Sequence, residues 1–237
     1  MVSRQLARPR NDPRQYDDLA DAWWEPGGAF AALRWIAAAR AEVVPPPPRP
    51  GAVLVDAACG GGLMAPYVGG YRHVGVDVSA SAVAVAAAHG VEVVRGDVTA
   101  LPLADGIADV VVAGEIFEHV SDLDAAVREV TRVLKPGGLL VCDTINNTPW
   151  ARFVLVTVGE RIRGVAPPGI HDPALFVAPD RLVALCARHG VHLRVWGLRP
   201  RPLELLGFLA DRARPVRLRP TRSLRGLYQG VGRKAAA

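Results

Sequence analysis

The stretch that decides the fold is residues 53–64, which read VLVDAACGGGLM. Its first four residues have strand character, and they run directly into Cys59 and three consecutive glycines. An apolar segment typical of a helix follows, over residues 62–69. A buried parallel strand that ends in a glycine turn brings bare backbone N–H groups up to a ligand. The stretch therefore predicts the first βαβ unit of an α/β fold, with a binding loop at its first turn.

Strand-like and helix-like segments alternate along the chain from this stretch onward. Strands are predicted at 52–56, 73–77, 91–95, 109–113, 139–143, 191–196 and, as a final edge strand, near 227–231. Amphipathic helices are predicted between them, at 79–89, 123–134 and 179–190. Strands that alternate with helices at this spacing are typical of a doubly wound, Rossmann-like α/β fold with a mainly parallel sheet, here seven-stranded.

The flanking regions divide into a leader, a helical cap and an insertion. Residues 1–15 are predicted to be a flexible basic leader, and residues 16–44 an N-terminal helical cap that carries the pair Trp23-Trp24. The tryptophans fit either core packing or a lid over the substrate. After a proline-rich linker, residues 51–237 form the main domain, in which 144–178 is a helical insertion after strand five.

Composition excludes several classes of protein. Half of the 237 residues are hydrophobic, yet no run reaches the roughly 18 apolar residues of a membrane span, and no signal-peptide pattern opens the chain. We therefore expect a cytoplasmic protein. The three cysteines are odd in number and lack metal spacing, which argues against a disulfide framework or a zinc site. From residue 199 onward, ten Lys or Arg stand against two acids, a balance compatible with an anionic partner or with solubility alone.

Acidic residues or glycines stand at the carboxyl ends of four consecutive predicted strands. They are Asp56 before the glycine loop, Asp77, Asp97 and Gly114. Ligands of open α/β sheets bind at these strand ends. The pattern resembles motif I and the acidic position that follows it in class I methyltransferases, which use S-adenosylmethionine.

A cofactor that carries a ribose, an adenine and an amino acid accounts for each of these positions. Asp77 is expected to accept hydrogen bonds from both ribose hydroxyls. Asp97 would accept one from the adenine amino group, with Val98 beside the ring. The backbone of Gly60 and Gly62 would lie against the methionine part.

Six further blocks resemble, in order, those of the ubiquinone-biosynthesis O-methyltransferase family. The similarity spans about residues 16–180. The blocks are WWEPGGAF (23–30), CGGG (59–62), EIFEHV (115–120), LKPGG (134–138), TINNT (144–148) and GIHDPALF (169–176). The resemblance implies methylation of a phenolic, catechol or quinol-type hydroxyl on a small molecule, with a polyprenylated ubiquinone-type precursor as the leading candidate.

The resemblance also implies roles for single residues. Arg40 would reach the cofactor carboxylate, and Gly114 would lie beside the adenosyl group. The full predicted cofactor-binding set is Arg40, Asp56, Ala58, Gly60, Gly62, Asp77, Asp97, Val98 and Gly114.

The E-x-x-E-H block places Glu115, Glu118 and His119 within one helical turn. In the family this block is associated with divalent metal, so the three residues are a predicted Mg²⁺ site. Alternatively, His119 acts as general base, with Glu118 as the second catalytic residue. A third interpretation is structural: Glu118 and His119 only cap and brace the following helix.

Departures from the family pattern keep other functions open. Arg34 stands where the family usually has histidine, Ala37-Ala38 replaces an Asn-Pro pair, and Ala58 replaces a glycine. These changes favour, as an alternative, a secondary-metabolite methyltransferase that acts on O, N or C. The remaining alternatives are an NAD(P)-binding oxidoreductase, although only Ala65 stands at the third glycine of G-x-G-x-x-G, and a non-catalytic membrane-associated binding protein. No Asn-Pro-Pro-Tyr motif follows strand four, so nucleic acid is not an expected substrate.

The insertion carries a candidate membrane-binding segment. Residues 150–158 are apolar, and Arg152, Arg161 and Arg163 surround them. Such a segment fits peripheral binding to an anionic membrane, on its inner face, and entry of a lipidic substrate. Covering the sheet edge is the alternative role.

Overall fold

The structure, a computed structural model, describes residues 8–236, and within them eight strands form one sheet. In chain order the strands are β1 (Val53–Ala57), β2 (Arg72–Asp77), β3 (Glu92–Arg95), β4 (Ala108–Gly114), β5 (Leu134–Ile145), β6 (Val191–Pro200), β7 (Leu218–Thr221) and β8 (Leu227–Lys234). Their spatial order is β3-β2-β1-β4-β5-β8-β6-β7. Strands β1 to β5 pair in parallel, whereas β8 pairs antiparallel with β5 and β6, and β7 antiparallel with β6. The mainly parallel α/β sheet is confirmed.

The prediction of seven strands is wrong by one, because it misses β7. This strand reads LRPT and contains Pro220, a residue that argues against a strand in sequence. At the sheet edge, however, β7 pairs on one side only, with Pro220 opposite Leu198. An edge position tolerates the missing N–H of proline.

The last strand, β8, is predicted at the edge of the sheet, but it lies inside the sheet between β5 and β6. Two glycines of β8 explain why its sequence resembles an edge strand and why the strand fits between two neighbours. A Cβ on Gly230 would lie 2.9 Å from Leu193 Cδ2, and one on Gly232 would lie 2.7 Å from the His192 carbonyl oxygen. Glycines weaken the strand signal in sequence, yet here they permit the close approach of neighbouring strands.

Seven α-helices lie within the described residues. They are α1 (Arg14–Asp18), α2 (Ala31–Ala41), α3 (Ala80–Ala88), α4 (Leu123–Arg132), α5 (Pro149–Ala151), α6 (Pro179–Arg188) and α7 (Pro202–Ala210). Two of them are capped as their sequences suggest: Ser79 Oγ accepts from the Ala82 N–H, and Asp122 Oδ1 from the Ala125 N–H.

The helix predicted at 62–69 is absent, and only a 3₁₀ turn, Ala65–Tyr67, follows the glycine loop. Pro66 lies within this turn, Gly70 has a positive φ, and β2 begins at Arg72. The short connection leaves no room for a longer helix, so the loop is followed by a turn and not by a helix N-terminus.

Helices cover both faces of the sheet because side chains alternate along each strand. On one face Val55 and Val111 belong to the core that α4 and α6 complete. On the other face Leu54 and Val112 pack with Ala37 of α2 and with the neighbouring apolar residues.

Two regions differ from their predicted local structure. The predicted helix after β5 consists of α5, a π-helical stretch, Arg152–Val158, and a 3₁₀ turn, Gly159–Arg161. Of the predicted flexible leader, residues 1–7 lie outside the described residues. The remainder packs on the protein, where the Asn11 N–H donates to the Gly169 carbonyl at 3.0 Å.

Within residues 8–236, no helix is both long and apolar enough to cross a membrane.

Candidate active site

A cavity of about 450 Å³ opens at the carboxyl ends of β1, β2 and β4. We describe its wall in two parts. The glycine half comprises Asp56, Ala58, Gly60, Asp77, Asp97, Val98 and Gly114. The histidine half comprises Asn11, Tyr16, Leu33, Ile36, His119, Ile145, Leu155, Ile170, His171 and Leu227. The cavity thus joins the predicted cofactor residues to a largely apolar chamber, with one exception: Gly62 does not line it and lies against Ala86 and Val91 instead.

The glycine loop turns through three residues with positive φ. These are Ala58 at 65°, Gly60 at 51° and Gly62 at 77°. The N–H groups of Ala58 and Cys59 both donate to the Val76 carbonyl, which ties the loop to β2. A non-glycine residue in this region costs about 1 kcal/mol, so Ala58 keeps a glycine-like conformation at some cost to stability.

Both tryptophans of the N-terminal pair hold this loop. A Cβ on Gly60 would lie 2.4 Å from the Trp23 ring, and one on Gly61 would lie 2.5 Å from it. Trp24 Nε1 donates to the Gly61 carbonyl at 2.9 Å. Trp23 is buried and also lines the cavity. The two roles predicted for the tryptophans therefore do not exclude each other, because Trp23 packs in the core and also forms part of the cavity wall.

Asp77 stands beside the loop, where its carboxylate accepts two backbone hydrogen bonds. The donors are the N–H groups of Gly60, at 2.8 Å, and Ser79, at 2.9 Å. Burial raises the pKa of Asp77, while these hydrogen bonds oppose the rise. Asp56 is buried at the end of β1, 3.4 Å from His73 Nε2.

Asp97 and Val98 continue the wall after β3. Asp97 is exposed, and its Oδ1 accepts from both the backbone N–H and the hydroxyl of Thr99. This arrangement is the turn that any aspartate could form at a strand end. Val98 is buried with its side chain against the cavity.

Arg40 forms a buried ion pair with Asp143, a residue that sequence analysis did not select. Arg40 Nε and Nη2 each lie 2.6 Å from an Asp143 carboxylate oxygen. The guanidinium lies on Gly114, where a Cβ would be 1.9 Å from Arg40 Cζ. The guanidinium that is predicted to bind the cofactor carboxylate is therefore already paired with Asp143. Of its three nitrogens, Nη1 is the one that forms no hydrogen bond within residues 8–236. A signal for Asp143 existed: it is the one charged residue in the apolar second half of β5.

Glu115 lines the cavity, but Glu118 lies behind its wall. Glu118 is fully buried, and its Oε2 accepts from the Thr144 hydroxyl at 2.7 Å. Burial raises the pKa of Glu118 to about 8. Burial also raises the pKa of Glu115, with the nearby Glu118 and Asp143 adding to the rise. The prediction that Glu118 is a catalytic residue does not fit this position.

The predicted metal site at Glu115, Glu118 and His119 is not assembled. No group of three His, Cys, Asp or Glu side chains within residues 8–236 could hold a metal ion. Glu118 points to Thr144, while His119 Nδ1 contacts Asn11. The helical arrangement expected from the sequence does not form, because Glu115 has a φ of 51° and precedes a short 3₁₀ turn, Phe117–His119.

His119 faces the cavity with a neutral imidazole. Its Nδ1 lies 2.5 Å from Asn11 Oδ1, and its Nε2 lies 3.4 Å from the Tyr16 hydroxyl. Burial, and secondarily the neighbouring His171, lower the pKa of His119 to about 3. Neither Asn11 nor Tyr16 was selected from the sequence, because nothing local links the N-terminal segment to a residue about one hundred positions away.

Comparisons with known proteins agree on the class of protein. A family model described as a methyltransferase domain matches residues 55–142. The ubiquinone biosynthesis O-methyltransferase of Albidiferax ferrireducens is 32% identical over 210 residues, with 83% of each chain covered. That of Ralstonia nicotianae is 32% identical over 200 residues, which cover 80% of this chain and 84% of the relative.

Solved structures share the fold. A SAM-dependent methyltransferase of Thermotoga maritima, described as a possible histamine N-methyltransferase, superposes with a TM-score of 0.66 at 19% identity, over 93% of this chain and 97% of that one. The cyclase SpnF superposes with a TM-score of 0.59 at 20% identity, over 98% of each chain. The fold is thus shared by proteins of different activity, whereas the sequence relatives agree in theirs. The chain belongs to the ubiquinone biosynthesis O-methyltransferase family and is an S-adenosylmethionine-dependent methyltransferase.

Proposed function

We propose that the glycine half of the cavity binds S-adenosylmethionine and that the histidine half binds the phenolic, catechol or quinol-type hydroxyl that is methylated. One observation carries this proposal. A single cavity joins the Asp77 carboxylate to the neutral imidazole of His119, whose Nε2 already contacts a phenol hydroxyl, that of Tyr16. An acceptor hydroxyl has the same chemistry as that Tyr16 group.

The residues of the glycine half fit the cofactor. Asp77 keeps acceptor capacity for the ribose hydroxyls beyond its two backbone bonds, since an ionised carboxylate has about four lone-pair sites. Val98 would offer an apolar surface for the adenine, and Asp97 would accept a hydrogen bond from its amino group. Ala58, Gly60 and Asp56, which line the cavity, would hold the methionine part, while Gly62 would act only through the shape of the loop.

Arg40 and Gly114 complete this half at the end of β4. Because Asp143 holds the guanidinium, Arg40 is proposed to contact the cofactor carboxylate through Nη1 alone. When bound, the cofactor supplies an electrophilic methyl group on a sulfonium sulfur.

His119 is proposed to accept the proton of the acceptor hydroxyl at Nε2. The lowered pKa keeps the imidazole neutral, with its lone pair available, at neutral pH. The imidazolium then forms only beside the oxygen that has lost the proton, where the two opposite charges offset the cost of burial. Glu118 and a metal ion have no part in this proposal, because the residues do not fit a metal site.

The acceptor is proposed to be a polyprenylated ubiquinone-type precursor. The names of the sequence relatives support this, and so does the apolar lining of the histidine half, to which Leu33, Ile36 and Leu227 contribute. An apolar chamber matches a prenylated ring better than a polar metabolite.

Peripheral contact with an anionic membrane is proposed as the route for this lipidic acceptor. Trp150 and Phe153 are 51% and 56% exposed, while Leu155 on the same segment lines the cavity. Arg225 lies over the Trp150 ring at 5.3 Å. One segment therefore connects an exposed aromatic surface, flanked by a cation, to the acceptor chamber.

In domain terms, we propose that residues 16–44 act as a cap on the methyltransferase domain, 51–237, and 144–178 as its substrate-facing insertion.

The test measures cofactor binding and methyl transfer separately. Calorimetry with S-adenosylhomocysteine is combined with an activity assay on catechols that carry prenyl chains of increasing length. We expect His119→Gln to lower kcat by about 10²- to 10⁴-fold and to leave S-adenosylhomocysteine affinity within twofold. His192→Gln, an exposed histidine of β6, is the matched control.

Three outcomes would contradict the proposal. Failure to bind S-adenosylhomocysteine would remove the cofactor assignment, and full activity of the His119→Gln variant would remove the base. Methylation of amines or carbon acceptors in preference to hydroxyls would move the protein to the secondary-metabolite alternative.

A further inference from the structure

Asn11 makes two hydrogen bonds to the same histidine. Its Nδ2 lies 2.9 Å from the His119 carbonyl oxygen, and its Oδ1 lies 2.5 Å from His119 Nδ1. A carbonyl oxygen can only accept, so the atom facing it must be the amide nitrogen. The amide oxygen therefore faces Nδ1, which must carry the proton of the neutral ring.

We propose that Asn11 is a positioning residue that holds His119 in the Nδ1–H tautomer and directs its basic Nε2 toward the acceptor. The role rests on the proposed function, in which Nε2 takes the acceptor proton. Without an acceptor at Nδ1, the ring proton is free to move to Nε2, and a ring in that state cannot accept a proton there.

The backbone of Asn11 is itself fixed by the loop around Gly169. The Asn11 N–H donates to the Gly169 carbonyl at 3.0 Å, and the Gly169 N–H donates to Glu160 at 2.9 Å. Arg10 donates to Glu160 at 2.5 Å and to the His171 carbonyl at 2.7 Å. The N-terminal segment and the loop around Gly169 thus hold the amide in place together.

The other groups around the imidazole leave Nδ1 to Asn11. Tyr16 reaches Nε2, and the His171 ring stacks with its centroid 5.5 Å from that of His119. His171 Nδ1 lies 3.7 Å from Glu160, and the His171 ring forms no hydrogen bond to His119. Within residues 8–236, the asparagine is the one side chain that hydrogen-bonds Nδ1.

An asparagine suits this place because both ends of its amide are used. An aspartate keeps the acceptor for Nδ1–H and loses the donor to the carbonyl. An alanine loses both. The pair of substitutions therefore separates control of the tautomer from the attachment of the segment.

The test compares Asn11→Ala and Asn11→Asp, with Arg14→Gln as the matched control. Arg14 belongs to the same segment and is 67% exposed, and within residues 8–236 its one ion-pair partner is Asp12. Three quantities are measured on the full chain: the ring ¹⁵N shifts of His119, assigned by difference from His119→Gln; kcat for a catechol; and S-adenosylhomocysteine affinity.

We expect Asn11→Ala to lose the Nδ1–H signature and about 10- to 100-fold in kcat, with cofactor affinity unchanged. Asn11→Asp should keep the signature and recover most of kcat. An unchanged tautomer in Asn11→Ala, an unchanged kcat, or an Asn11→Asp variant as impaired as Asn11→Ala would each overturn the role. Full activity of His119→Gln would instead overturn the proposed function, while the ¹⁵N shifts would still report whether Asn11 sets the tautomer.

Discussion

The two halves of the cavity are built in different ways. In the glycine half, Gly60 and Asp77 are 17 positions apart and joined by a direct hydrogen bond. In the histidine half, Asn11 meets His119 across 108 positions and Arg10 meets His171 across 161. The Gly60–Asp77 contact follows from two consecutive strands and the turn between them, whereas the contacts of the histidine half exist only when distant segments have packed. The glycine half therefore depends on contacts that are local in sequence more than the histidine half does.

Breaking the ion pair behind the glycine half should have the largest effect. Arg40→Met leaves the Asp143 carboxylate buried and unpaired, which we expect to destabilise the protein by about 3–5 kcal/mol. Urea unfolding measures it. The double variant Arg40→Met, Asp143→Leu should recover most of the loss; no recovery would mean that the guanidinium packs against Gly114 more than it neutralises Asp143.

Next in size is the effect of Asp77→Asn on cofactor binding. An amide has one acceptor atom and no charge, so it cannot keep both the Gly60 and Ser79 bonds as well as the ribose. We expect S-adenosylhomocysteine to bind about 10- to 100-fold more weakly, by calorimetry, with the acceptor KM little changed. Asp97→Asn is the control and should cost less, since Asp97 is exposed. Equal losses in the two variants would contradict the distinct role of Asp77.

The pH dependence of protein stability reports on the Glu118 carboxyl, which lies behind the cavity wall. Burial raises the folded-state pKa of Glu118 from the ordinary carboxyl value of 4.5 to about 8, so the folded protein binds more protons than the unfolded chain between these two pH values. The free energy of unfolding should therefore fall as pH rises from about 4.5 to about 8. Glu118→Gln should remove part of this fall. Near pH 8 the free energy of unfolding of this variant should exceed that of the native protein by about 1–2 kcal/mol.

Urea midpoints at successive pH values measure this effect. Glu92→Gln alters only a surface pair with Arg72 and serves as control. If Glu118→Gln instead abolished catalysis without changing the pH dependence of stability, Glu118 would belong to the histidine half after all.

Membrane binding would extend the histidine half beyond the cavity. The double variant Trp150→Ser, Phe153→Ser should reduce partitioning into anionic vesicles by about tenfold and leave activity on short-chain catechols unchanged. Leu203→Ser removes an apolar residue of α7 that is even more exposed, at 83%, and lies far along the chain from the insertion, so it is the control. Equal losses in both would show that exposed apolar surface in general drives the association.

The smallest change trims the acceptor chamber. Ile170→Val removes one methylene from the histidine half, which we expect to raise the acceptor KM about fourfold with no effect on cofactor affinity. Ile107→Val, in the core away from the cavity, should leave both unchanged. A change in S-adenosylhomocysteine affinity for Ile170→Val would mean that the two halves are not separable.

Several elements of the fold could be predicted because their causes are local. The apolar run of β4, the Ser79 cap and the glycine turn each depend on a few adjacent residues, and the structure confirms the mainly parallel sheet they imply. The errors have a common origin. The proline in β7 and the glycines in β8 read as strand breakers until the neighbouring strands show where each is tolerated.

The class of fold, the glycine loop and the family can all be read from the amino-acid sequence, because they depend on short motifs and on hydrophobic periodicity. That Arg40 pairs with Asp143, that Glu118 is turned away from the cavity and that Asn11 meets His119 became visible in the packed chain alone. The physical reason is that hydrogen bonds and ion pairs are short-ranged. Which groups come within about 3 Å of one another depends on the packing of segments that no local pattern connects.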